Sequence, residues 1–158
     1  AAATLQRLNP DCRLELIGHR LNEQELAEQV AEADAVLDCT DNFATRFAIN
    51  RACIAQHTPL VSGAAIRWEG QVAVFNGQPC YHCLYGESGE PEDNCSTNGV
   101  LAPVVGIIGS IQAVEAIKVL TRAGRPLTGR LLLMDALSME WRSMKLTPDP
   151  NCPVCAHG

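Results

Sequence analysis

The stretch AVLDCTDNFATRFAINRACIAQHTPLVSGAA, Ala35 to Ala65, decides the fold. AVLDCT is a short apolar run, which predicts a buried parallel strand. TDNFATRFAINRACIAQH predicts an amphipathic helix. Phe43, Phe47, Ile49, Ala52 (or Cys53) and Ile54 form its apolar face, and Arg46, Asn50 and Arg51 alternate with them as its polar side. TPLVSGAA predicts a second strand, with Gly63 where backbone has to approach something closely.

Upstream, NEQELAEQVAEA opens on Asn22 with Glu25 three residues later, a capping box. CRLELIGHRL alternates and predicts a further strand. AAATLQRLNP reads as the end of a helix stopped at Asn9-Pro10, which suggests that sequence precedes it. Downstream, WEGQVAVFN predicts a strand after a turn. The order β-α-β-α-β-β implies an open α/β sheet, parallel at first and then changing direction. A long apolar helix over Ala102–Leu120 closes at Arg122, Ala123 and Gly124. RLLLMDALSMEWRSMKL reads as two strands with a turn near Ala136 to Ser138, and TPDPNCPVCAHG as an irregular tail.

The chain has 158 residues, 47% hydrophobic and 19% charged, which suits one domain with a core and excludes a disordered chain. A net charge of −6 argues against a nucleic-acid binder and against binding to anionic lipid. The N-terminus carries no apolar signal segment, and the most apolar run, Val100–Val114, is shorter than the ~20 residues of a membrane span. The cytoplasm is the expected compartment, so the eight cysteines read better as metal ligands or catalytic thiols than as disulfides.

Four of them form two C-x-x-C pairs, Cys80/Cys83 in CYHC and Cys152/Cys155 in CPVC. Two such pairs are the usual halves of a tetrahedral Zn²⁺ site, because thiolates three positions apart in a tight turn face one ion. The usual separation of zinc knuckles is about 15–20 residues. Here 68 residues intervene, so a metal would fasten the tail back onto the domain. His82 could replace a cysteine, but four thiolates complete the shell. A redox pair is the alternative, although such a pair opens a helix after a strand and both pairs here fall in irregular sequence.

Asp38 and Asp41 lie at the carboxyl end of the first predicted strand, where open α/β sheets bind ligands. A carboxylate there can hold Mg²⁺ on a triphosphate, and Asn42 with the amides after it begins a helix that favours phosphate. The simpler reading is that Asp41 caps the helix. Cys95 follows the acidic loop GESGEPEDN and reads as an ordinary loop cysteine or a reactive one. Cys12, Cys39 and Cys53 read as packing residues, and Trp68 and Trp141 as core or interface.

Together, VLDCTDNFATRFAINRAC, GQPCYHCLY, NCSTNGVLAPVVGIIGSIQAVEAIKVL, MEWRSMKL and CPVC resemble the adenylyltransferases of the ubiquitin-activating-enzyme-like superfamily that activate sulfur-carrier proteins. The resemblance covers essentially the whole chain. It implies a Rossmann-like sheet, partly parallel and continuing into antiparallel strands, in a homodimer. It implies Mg²⁺, ATP and a ubiquitin-like sulfur carrier whose C-terminal Gly-Gly carboxylate is adenylylated. A cysteine desulfurase or rhodanese-type donor then supplies sulfur for a thiocarboxylate, in molybdenum cofactor biosynthesis or in the thiamine thiazole branch. Residue by residue, Asp41 matches the catalytic Mg/ATP aspartate and Asn42 its nucleotide-contacting neighbour. Cys80, Cys83, Cys152 and Cys155 match the structural zinc ligands. Cys95 matches the catalytic cysteine that links covalently to the carrier in the thiamine branch.

The family's Gly-rich nucleotide loop precedes the point where this chain begins, and no G-x-G-x-x-G occurs in it. The expectation is therefore one partial domain, 1–158, with a zinc-clasped portion 80–155 and a crossover loop 86–96. Such a part would leave a sheet edge and an apolar face uncovered and would not turn over alone. A non-catalytic carrier-binding or dimerisation module and a thiol-transfer protein are the competing classes.

Overall fold

The computed structural model describes residues 1–86 and 99–156. Cys95, and all of the loop expected at 86–96 except Gly86, lie outside the described residues. Ten elements are described: α1 (Ala2–Leu8), α2 (Glu23–Ala31), β1 (Val36–Asp38), α3 (Phe43–Gln56), β2 (Leu60–Ile66), β3 (Glu69–Phe75), α4 (Tyr81–Tyr85), α5 (Ala102–Thr121), β4 (Arg130–Asp135) and β5 (Glu140–Lys145). The strands form one sheet in the order β1-β2-β3-β4-β5. β1 and β2 are parallel, Val36 beside Leu60, and the other neighbours are antiparallel. The expected change of direction therefore falls at the turn between β2 and β3.

Both faces of the inner strands are buried, which is why they read as unbroken apolar runs. Leu60, Ala73, Phe75 and Leu131 face α2, α3 and α4, packing with Val30, Ile49, Cys53 and Tyr81. Their alternates Val61, Val72, Val74 and Met134 face α5, packing with Val104, Ile108 and Ala116. Gly63 has the close approach expected of it. A Cβ there would stand 2.2 Å from Gln112 Cδ, because the α5 side chain crosses the strand at that point.

Several expectations change. CRLELIGHRL forms no strand. Its alternation suits one, but a strand needs a ladder partner and none of the described residues runs beside it. Arg46 and Asn50 are buried rather than on a solvated face. Cys12 and Cys39 are exposed, and only Cys53 of that trio packs in the core. Trp68 and Trp141 are exposed, so neither is a core residue. α5 ends with Arg122 in the left-handed region at φ 56°, two residues before Gly124. α5 is also longer than the apolar run suggested and, by length and composition alone, could cross a membrane. Its inner face packs on β2 and β3 and buries Gln112 and Glu115.

Candidate functional site

A cleft of about 680 Å³ opens beyond the carboxyl ends of β1 and β2. Its lining includes Asp41, Arg46, Gly63, Gln112, Glu69 and Arg142. Asp38, 1% exposed, anchors the turn out of β1. Its Oδ1 accepts from the Thr40 N–H at 2.9 Å and the Thr40 hydroxyl at 2.7 Å, and its Oδ2 accepts from Arg46 Nη1 at 3.2 Å. Arg46 also donates to the Thr40 carbonyl and, at 3.1 Å, to the Gly63 carbonyl. Gln112 Nε2 donates to the carbonyls of Asp38 at 2.9 Å and Val61 at 3.2 Å. Charged and amide groups thus satisfy the ends of both strands, and the turn at Thr40–Asp41 is braced from beneath.

Asp41 stands on that turn, exposed at the cleft, while Asp38 is committed to Arg46. The two aspartates therefore separate into a buried brace and an exposed carboxylate whose Oδ1 accepts, among the described residues, only a long 3.4 Å hydrogen bond, from Asn42 Nδ2. Asp41 is not the helix cap. That role belongs to Asn42, whose side chain accepts from the Thr45 N–H at 2.9 Å. Arg46 and Gln112 were missed because each looks ordinary in sequence: an arginine on a helix, a glutamine in an apolar run. One available signal was the spacing of Asn42, Arg46 and Asn50, four apart and hence on one stripe.

A second site lies behind α3. The Sγ atoms of Cys80, Cys83, Cys152 and Cys155 all fall within 4.8 Å of one another. Cys80 to Cys83 is 4.0 Å, Cys80 to Cys152 is 3.7 Å, and Cys83 to Cys155 is 3.4 Å. A tetrahedron of Zn–S bonds of ~2.3 Å has edges of ~3.8 Å, so the donor set fits zinc. Cys80 caps α4, so the first pair does open a helix after a strand, contrary to the reading of that segment as irregular. The sulfurs nevertheless lie as close across the pairs as within CYHC, which is the arrangement of a four-donor centre and not of one redox pair. Burial pushes the Cys80 and Cys155 thiols up. At Cys152 burial also raises the value, but hydrogen bonds from the N–H groups of Cys155 and Val154 and from the Cys155 and Cys80 side chains together outweigh it and leave about 7.

Aromatic packing holds this site against α3. Phe47 meets Tyr81 edge-on at 5.5 Å, and Phe43 meets Tyr85 at 5.6 Å. Asn50 completes the join: its Oδ1 accepts from the Tyr81 N–H at 3.0 Å, and its Nδ2 donates to Cys80 Sγ at 3.6 Å. The tail is tied in by Gln78, which donates to the Cys155 carbonyl, and by the Asp149 N–H, 3.5 Å from Cys83 Sγ.

A Rossmann-like α/β sheet, a cleft at its parallel strand ends and a four-cysteine cluster able to clasp zinc define the class of protein. The chain belongs to the ThiF family, whose model matches residues 1–154. It is 48% identical to the molybdopterin-synthase adenylyltransferase of Escherichia coli K12, across 98% of this chain and 64% of that one. It is likewise 48% identical to the sulfur carrier protein ThiS adenylyltransferase of the same strain, across 96% of this chain and 61% of that one. The chain thus spans less than two thirds of the length of these relatives. The crystal structure of E. coli MccB with ATP shares the fold, with a TM-score of 0.79 at 18% identity, over 98% of this chain and 49% of that one.

Proposed function

We propose that the chain is the carboxyl-terminal part of an adenylyltransferase that activates a ubiquitin-like sulfur carrier, as a single partial domain over 1–158 whose portion 80–155 is clasped by structural zinc. The observation that carries this reading is Asp41, an exposed carboxylate on a braced turn at the cleft of a ThiF-family sheet. In the reaction, the carrier's terminal Gly-Gly carboxylate attacks the α-phosphate of ATP. A carboxylate–phosphorus bond forms, the bond to the β-phosphate oxygen breaks, and pyrophosphate leaves. Nucleotidyl transfer of this kind needs in-line positioning and charge neutralisation. Mg²⁺ held by Asp41 would supply charge neutralisation at the phosphates. Arg46 and Asp38 keep the Asp41 turn in place, and Asn42 orders the start of α3 beside it. The persulfide of a cysteine desulfurase or rhodanese-type donor then attacks the acyl carbon, AMP leaves, and a thiol reductant cleaves the resulting acyl disulfide to release the thiocarboxylate.

The carrier is proposed to serve molybdenum cofactor biosynthesis, in the cytoplasm. The equal identity to the ThiS adenylyltransferase supports a second reading, a thiamine-branch carrier that forms a covalent link to Cys95. A homodimer joined through α5 is supported by the apolar side chains on its outer face, Val114, Ile117 and Leu120.

Carrier-dependent exchange of pyrophosphate into ATP tests the proposal. The 158-residue chain alone is expected to give none. A chimera that places the amino-terminal segment of the E. coli molybdopterin-synthase adenylyltransferase ahead of Ala1 is expected to restore exchange. Asp41→Asn in that chimera should cost about 10²–10³-fold, the scale of a lost charge-stabilising group. Full exchange by the Asp41→Asn chimera would sink the assignment. Full exchange by the chain alone would show that the upstream segment is dispensable. Cys95→Ser separates the two branches: it abolishes sulfur transfer only in the covalent one.

A further inference from the structure

Four thiolates around one dication leave two net negative charges, and three of the four residues are buried: Cys80 and Cys152 are 0% and Cys155 2% exposed, while Cys83 is half-buried. Burial disfavours charge on sulfur unless donors are aimed at it. The Asp149 N–H supplies one at Cys83. At Cys80 the donor comes from a different layer of the molecule. Asn50, 1% exposed and two turns into α3, points its Nδ2–H at Cys80 Sγ at 3.6 Å while its Oδ1 holds the Tyr81 N–H at 3.0 Å. One amide thus grips Cys80 from both sides, its sulfur and the peptide that follows it.

We propose that Asn50 is a positioning residue of the thiolate centre, whose N–H···S hydrogen bond fixes the Cys80 thiolate and disperses its charge when metal is bound. The inference rests on the four-cysteine cluster being a metal site. Groups of this kind around a metal ligand are typically worth 10–100-fold in affinity.

The test uses the 158-residue chain with Zn²⁺ in competition with a chelator of known affinity, and with Co²⁺ as a spectroscopic substitute. Asn50→Asp keeps an acceptor for the Tyr81 N–H and loses the donor to sulfur. It is expected to bind Zn²⁺ at least about ten-fold more weakly than the wild type. Its thiolate-to-Co²⁺ charge-transfer band is expected to move to longer wavelength, because a sulfur without its hydrogen bond gives up charge more readily. If Asn50 served only to hold the start of α4, this variant would keep wild-type affinity and an unmoved band, and that result overturns the proposal. A second measurement needs no variant. In the ¹¹³Cd-loaded wild type, an Asn50 side-chain amide proton should show scalar coupling to the metal through Cys80 sulfur, and absence of that coupling overturns the proposal even where the variant misfolds. A wild-type chain that takes up no metal refutes the metal site itself, and the inference with it.

Discussion

At the scale of the residue, the decisive unit is Asp38 with Arg46. Their side chains are 1% and 7% exposed and bonded at 3.2 Å. Arg46→Ala would leave Asp38 as a buried uncompensated charge, so the expected loss is about 3–5 kcal/mol in urea unfolding. Gly63→Ala should cost about 1–3 kcal/mol in the same measurement, because Gln112 must leave the carbonyls of Asp38 and Val61 to admit a methyl group. Thiol reactivity gives a third check. Cys12 and Cys39 are exposed, whereas burial and, second, the charge of Asp38 push the Cys53 thiol up to about 12. Cys53 therefore stays protonated at neutral pH, and peptide-level mass spectrometry should find alkylation at Cys12 and Cys39 but not at Cys53 in the native chain. The four cysteines that could hold a metal were legible as letters because C-x-x-C chemistry is local. The roles of Arg46 and Asn50 were not, because a polar residue at helical spacing reads as solvated until Asp38, eight residues back, and Cys80, thirty residues on, are known to face it.

At the scale of the element, α3 organises both sites. Asn42 caps it at the cleft, Arg46 braces the turn out of β1, and Asn50 reaches the Cys80 sulfur, all on one stripe of the helix. Asn42→Ala removes the acceptor of the Thr45 N–H and should cost about 1 kcal/mol, read as a fall in Cm at unchanged m. The capping box of α2 was readable in full, Asn22 accepting from the Glu25 N–H at 2.9 Å and Glu25 accepting from the Asn22 N–H at 2.9 Å, since every atom in it lies within one turn. The segment CRLELIGHRL shows the opposite limit. Alternation records which residues could share a face, but pairing is a property of two segments, and no described strand pairs with this one.

At the scale of the whole molecule, the inner strands are covered on both faces while β5 is exposed along its length, so β5 and the outer side of α5 are the apolar surfaces open to other chains. If that side joins two copies, Val114→Asp with Ile117→Asp should give a monomer by sedimentation equilibrium at concentrations where the wild type self-associates, with the far-ultraviolet circular dichroism unchanged. The overall α/β class was legible because apolar runs and turns alternate along the chain. Which strand stands at the edge was not, because strand order depends on contacts far apart in sequence.

That edge has a practical consequence. β1 terminates the sheet with its outer ladder groups unpaired by any described strand, Leu37 there is 44% exposed, and Leu16 and Ile17 are exposed as well. A short apolar edge of this kind is adhesive towards any extended chain. The useful working range of the isolated chain should therefore be bounded by colloidal solubility before thermal unfolding. Light scattering should rise with protein concentration well below the melting temperature, and Leu37→Lys should delay it without moving that temperature.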